Sequence, residues 1–192
     1  MIIFLYKIKN LFFILLYIFI ILNCSAYALK DISNSSNTVK LTKGAVYIDP
    51  KILKEDSEKI IYDLTNILIN YTIQKDYSRL PELISSEHGL FIDLKGYLGM
   101  EDLKNEIQKK NSYFEIFFFN RNLLAKEKKS SDVRTVRDLL FLAGELKMEY
   151  YYESSTAVEV KLKFRDNKTY ENELNNLYFI KSGNKWFIHR LF

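Results

Sequence analysis

Between Thr156 and Arg165 the side chains alternate without a break, with Val158, Val160, Leu162 and Phe164 on one face and Glu159, Lys161, Lys163 and Arg165 on the other. That period of two is the pattern of a half-buried antiparallel strand. Two further apolar runs follow, Leu177 to Ile180 and Trp186 to Phe192, separated by Lys181-Ser182-Gly183-Asn184-Lys185. The glycine in that polar stretch can take the positive φ of a tight hairpin. Upstream, Glu149-Tyr150-Tyr151-Tyr152-Glu153 sets rings on both faces of a fourth strand. The chain thus ends in an antiparallel meander, and a meander alone leaves its apolar face in water. Strict alternation in the last strand puts Trp186 and Ile188 on one side and Phe187, His189 and Leu191 on the other, so both faces call for cover.

A length of 192 residues suits one domain with a single core. Hydrophobic residues make up 48% of the chain, and 14 Phe and 14 Tyr against two Pro describe a packed protein rather than a disordered one. Setting aside Lys7 and Lys9, 26 basic residues face 24 acidic ones, a balance that gives no reason to expect nucleic acid as a partner. Lys126, Lys128 and Lys129 form the only local concentration, read as a solvated loop.

Residues 1–28 have the build of an export signal: Lys7 and Lys9, an apolar run from Leu11 to Leu22, and Ala26-Tyr27-Ala28 for cleavage after Ala28. The run is shorter than the roughly 20 residues of a spanning helix. Ile21-Leu22-Asn23-Cys24 also resembles a lipobox, in which case Cys24 would be acylated and the cut would precede it, anchoring the protein to a membrane through lipid. An uncleaved anchor is the third route. The expected location is outside the cytoplasm: periplasm, outer-membrane-anchored or secreted. With Cys24 as the single cysteine, no intrachain disulfide or cysteine metal site can form.

Residues 29–54 read as a polar tether, with Val39 to Pro50 able to add an edge strand, and residues 55–192 as a single α+β domain. Its first helix is expected from Asp56 or Ser57, with Ile60, Ile61, Leu64, Ile67, Leu68 and Tyr71 as its apolar stripe. A short helix follows from Ser78, with Pro81 in its first turn, to about Ser86, stopping by Gly89. Next come a strand from Leu90 to Leu94 and a helix from Glu101 to Lys110. Tyr113 to Phe119 is too apolar to show a period and could be strand or buried helix, with its length and aromatic content leaning to strand. Thr135 to Asp138 has capping-box spacing and opens a helix that Gly144 ends.

This order of elements resembles the nuclear transport factor 2-like superfamily, and Gly183-Asn-Lys-Trp186-Phe-Ile188 looks like the C-terminal hairpin common there. The resemblance covers about residues 55–192 and implies a curved antiparallel sheet wrapped around a long N-terminal helix. It also implies that any catalytic Asp, His or Tyr would sit inside the cone, which leaves Asp93, His88 and His189 as candidates. Their ordinary readings are an acid ending a short strand before a glycine turn, a histidine at a helix end and a satisfied or rim strand histidine. Members of the superfamily often dimerise through the sheet. Here Tyr150, Tyr152, Phe187 and Leu191 are the candidate contact residues for a homodimer.

No phosphate loop, dinucleotide fingerprint or nucleophile elbow is present. Two histidines a hundred residues apart offer no metal motif, so neither metal nor cofactor is expected. The expectation is an exported, non-enzymatic domain that binds a small apolar ligand or a protein partner at the bacterial cell envelope. The alternative is a cone-pocket isomerase or dehydratase. Asp93 sharing a cavity with a histidine would favour catalysis, and an interior filled by Phe and Leu would not.

Overall fold

Seven strands form one curved, unclosed sheet in the computed structural model, which describes residues 39–51, 57–93 and 96–192. The strands are β1 (Lys40–Ile48), β2 (Leu90–Phe91), β3 (Tyr97–Leu98), β4 (Glu145–Ser154), β5 (Ala157–Phe164), β6 (Leu177–Ser182) and β7 (Lys185–Arg190), in the spatial order β1-β4-β5-β6-β7-β2-β3. The helices are α1 (Glu58–Gln74), α2 (Met100–Gln108), α3 (Arg121–Lys128) and α4 (Val136–Leu142), with 3₁₀ turns at Leu80–Leu83 and Lys168–Glu173. The fold is mixed α+β, and Val39–Phe192 is one compact unit, β1 included. The expected leader, Cys24, Ala28 and the start of the tether lie outside the described residues. Among the described residues no helix is long and apolar enough to cross a membrane.

The C-terminal strands follow the expected meander: β4 to β5, β5 to β6 and β6 to β7 all pair antiparallel, and Gly183 turns the last hairpin at φ 58°. The sheet as a whole is not antiparallel, which corrects the sequence reading. β1 runs parallel to β4 and β2 parallel to β7. Parallel pairing needs a connection long enough to cross over, and α1 with the segments around it lies between β1 and β4 in the chain. Alternation on β4 and β5 carries through to packing: Leu146, Met148, Tyr150, Val158, Val160 and Leu162 face the core.

Helix α1 is where expected, but its buried face is rotated from the apolar stripe. Ile61, Thr65, Leu68, Ile69, Thr72 and Ile73 are buried, while Ile60 is exposed. The two threonines can enter the core because each hydroxyl donates to the carbonyl four residues back, Thr65 to Ile61 and Thr72 to Leu68. Ser57 precedes the helix yet makes no side-chain cap; its hydroxyl bonds the phenol of Tyr152 at 2.8 Å, joining α1 to β4. Tyr62 donates to the carbonyl of Leu41 and ties the same helix to β1.

Ser78 does not cap the next turn, which spans only Leu80–Leu83. Tyr113 to Phe119, whose sequence leans to strand with buried helix as the alternative, is helical, with a π-helical turn at Phe114–Phe119. Helical geometry brings residues four apart into contact, so Tyr113 stacks on Phe117 at 4.5 Å and Phe114 meets Phe118 edge-on at 5.6 Å. The edges of Phe114, Phe118 and Phe119 surround buried Tyr77 at 5.0–5.6 Å. An extended segment would carry these rings too far apart to share one partner. The capping box of α4 forms as read, with Thr135 and Asp138 each accepting from the other's backbone N–H, and Gly144 follows the helix at φ 66°.

Candidate functional site

Alternation along β7 is broken by one residue. Phe179 pairs with Ile188 and Tyr178 with Arg190, which leaves His189 unpaired in a β-bulge. A bulge places two successive residues toward one side of a sheet, so His189 and Arg190 both belong to the face opposite Ile188. The residue after them is consequently shifted inward, and Leu191 is fully buried. Strict alternation had put Leu191 beside Phe187 and His189.

The outward side of the bulge holds an open hollow of about 240 Å³ lined by Phe91, Asp93, Tyr178, His189 and Arg190. His189 is its centre: its ring meets Phe91 at 5.1 Å, Tyr178 at 6.4 Å and His88 at 6.4 Å. Its Nδ1 lies 3.2 Å from the carbonyl of Gly89. A carbonyl can only accept, so Nδ1 carries the proton and Nε2 keeps its lone pair. Burial holds the imidazole below its ordinary pKa, assisted by the charges of His88 and Arg190 and opposed by the Gly89 bond. Arg190 is fixed by Asn176 O at 2.9 Å and Glu159 at 2.5 Å, and Tyr178 donates to Glu153 at 2.6 Å. Asp93 accepts from the amide of Gly96.

Asp93 and His189 therefore line one hollow, as the catalytic alternative required, but it opens on the outer face of the sheet. Among the described residues no hydrogen bond joins the two. His88 stands at the side, with Nδ1 at 3.1 Å from the hydroxyl of Ser85. The inward side of the sheet is filled by Leu68, Phe114, Phe118, Leu140 and Phe179, each at most 2% exposed.

The hollow is part of a longer row. Pairing across the sheet aligns Tyr47, Tyr151, Glu159, Tyr178, Arg190, Phe91 and Tyr97, one residue from each of the seven strands. All seven are half-exposed or exposed. Tyr47 stacks on Tyr151 at 4.6 Å, Arg190 lies 5.5 Å from the ring centre of Tyr178, and Phe91 meets Tyr97 at 5.2 Å. Of the residues expected to form a dimer contact, Tyr150, Tyr152 and Leu191 are core and only Phe187 reaches the surface. The tyrosine that faces outward is the middle one, Tyr151.

Asp93 also borders a wider cleft of about 580 Å³ whose floor includes Phe118, Leu124, Val136, Leu139 and Phe192 and whose rim includes Tyr113, Lys128, Arg134 and Glu173. Arg134 is held by Asp132 at 2.8 Å and Glu173 at 3.3 Å and lies over Tyr170. Burial and the nearby Asp93 charge push the Tyr113 phenol up to about 12. The floor side chains are already more than nine-tenths covered by their neighbours, so an apolar ligand would remove little further apolar surface from water.

Among the described residues no group of three or more His, Cys, Asp or Glu is placed to hold a metal ion. Comparison of the chain with protein-family models, curated proteins and solved structures found no match. Sequence reasoning named His88, Asp93 and His189 but missed Phe91, Tyr178 and Arg190. The outward direction of Tyr178 was readable from its apolar neighbours Leu177 and Phe179; that of Arg190 depended on the bulge.

Proposed function

We propose that this chain is an exported, non-catalytic binding protein of the bacterial cell envelope, whose folded unit is built like a nuclear transport factor 2-like domain and engages its partner on the outward face of the sheet. The observation that carries the reading is the half-exposed aromatic and charged row running through all seven strands, opposite an interior filled by Leu, Ile and Phe. The leader composition supports export, and the Cys24 lipobox or cleavage after Ala28 would leave the domain on a polar tether. A long first helix, a short turn, a strand pair, a further helix and a C-terminal meander support the family reading.

The test is photo-crosslinking in intact cells from an unnatural residue placed at Tyr151 or Phe187, with exposed Lys59 on α1 as the control. Partner adducts from the sheet positions and none from Lys59 are expected. Adducts from Lys59 alone would overturn the outward-face assignment.

A second reading keeps the isomerase or dehydratase alternative, and the shared hollow of Asp93 and His189 favours it. His189 Nε2 would act as the base there. Its weakness is the open setting, since catalytic acid–base pairs gain from exclusion of water.

A further inference from the structure

We infer that the hollow at the β7 bulge is a subsite for one neutral pyranose ring, and that the outward row extends it into a groove for a linear glycan. The inference rests on the binding-domain reading above and names its partner class.

Three properties of the hollow select the ligand. Its volume, about 240 Å³, accommodates a single sugar ring and is small for a nucleotide or a folded peptide element. Its aromatic walls are Phe91, Tyr178 and His189, with the Phe91 and Tyr178 rings at 84° and 53° to the imidazole plane. Such walls accept the C–H faces of a pyranose by apolar contact. Its polar groups provide both donors and acceptors: the guanidinium of Arg190, the carboxylate of Asp93 and the unprotonated Nε2 of His189. A polyol needs this mixture, since each hydroxyl both donates and accepts.

Charge argues against an anionic ligand and desolvation against a purely apolar one. Arg190 is already neutralised by Glu159, so an anion such as phosphate would find no unmatched cation and would meet Asp93. A purely apolar ligand would desolvate the Nε2 of His189 without replacing its hydrogen bond to water.

The row continues the aromatic surface on both sides, through Tyr97 beside Phe91 and through the Tyr151–Tyr47 stack beyond Glu159. At about 4.8 Å between strands, the six steps from β1 to β3 cover about 29 Å, a length suited to several linked sugar rings rather than one. The phenols of Tyr178 and Tyr151 are held by Glu153 and Glu149. Their rings are set before binding, which lowers the ordering cost.

The experiment uses the full-length protein, expressed with its own N-terminal segment and purified as exported. Saturation-transfer NMR is run with tetrasaccharides of β-1,4-linked glucose, β-1,4-linked N-acetylglucosamine and α-1,4-linked glucose, and with the two monosaccharides. Transfer to C–H protons of at least one tetrasaccharide is expected, with affinity falling at least about fivefold in Phe91→Ala and His189→Ala. Tyr97→Ala, at an exposed position that leaves the core intact, is expected to weaken the tetrasaccharide more than the monosaccharide. No transfer to any of the sugars overturns the inference, as does binding indifferent to both Phe91→Ala and Tyr97→Ala. If sugars fail while crosslinks from Tyr151 and Phe187 persist, the glycan inference falls and the binding-domain reading stands. If both fail, both fall.

Discussion

Tyr77 and Thr72 form a buried relay whose two ends should differ in cost when removed. Thr72 is fully buried and Tyr77 is 3% exposed, and their hydroxyls lie 2.7 Å apart. Thr72 Oγ1 donates to the carbonyl of Leu68 at 2.9 Å. A hydroxyl has one proton, so Tyr77 is the donor and Thr72 the acceptor in the bond between them. Burial, acting against that bond, raises the Tyr77 phenol pKa and keeps it neutral. Tyr77→Phe deletes the donor and leaves Thr72 bonded to Leu68, a loss of about 1 kcal/mol. Thr72→Val instead strands the Tyr77 O–H among the edges of Phe114, Phe118 and Phe119, at about 1–3 kcal/mol. In the double variant nothing is stranded, so Thr72→Val should cost less in the Tyr77→Phe background than alone. Each kcal/mol lowers Tm by about 2–4 °C in a domain of this size. Urea unfolding followed by the fluorescence of Trp186, the single tryptophan, measures all four corners of the cycle. The reasoning is refuted if Thr72→Val costs no more than Tyr77→Phe, or if the two add within about 0.5 kcal/mol.

Three further outcomes are expected. A Cβ on Gly44 would collide with the backbone carbonyl of Met148, so Gly44→Ala should detach the edge strand. Hydrogen exchange would then lose protection over Lys40–Ile48 while β4 to β7 keep theirs, and uniform retention would show that β1 can shift to make room. His189, faced by His88, Asp93 and Arg190, has a lowered folded pKa, so the unfolded chain takes up its proton first. Stability should therefore decline as pH falls below about 6.5, the ordinary histidine value, and His189→Gln should remove that part of the decline in pH-dependent melting. At the N-terminus, fatty-acid labelling of the wild type that disappears in Cys24→Ala would establish lipidation. A mass-determined start at Leu29 would establish cleavage after Ala28 instead.

The part of the fold legible in the sequence is the part set by neighbours in the chain. Alternation from Thr156 to Arg165 fixed which side chains of β5 point inward, because a strand's period of two is a property of its own backbone. The Thr135–Asp138 box and the turn at Gly183 are likewise local, and both formed where they were read. Tertiary structure decided what depends on partners distant in sequence. Tyr113 to Phe119 coils because Tyr77 collects its rings, and α1 turns its threonines inward because their protons can be spent on the helix's own carbonyls. β1 and β2 run parallel to strands roughly a hundred residues away, a relation that no local pattern records. The candidate site belongs to this second kind. His189 and Arg190 share a face, and Leu191 is buried, through one unpaired residue whose position is set by the register of β7 on β6. A one-residue shift in that register inverts every side chain beyond it, so only the paired sheet could bring Phe91, Tyr178 and His189 around one hollow.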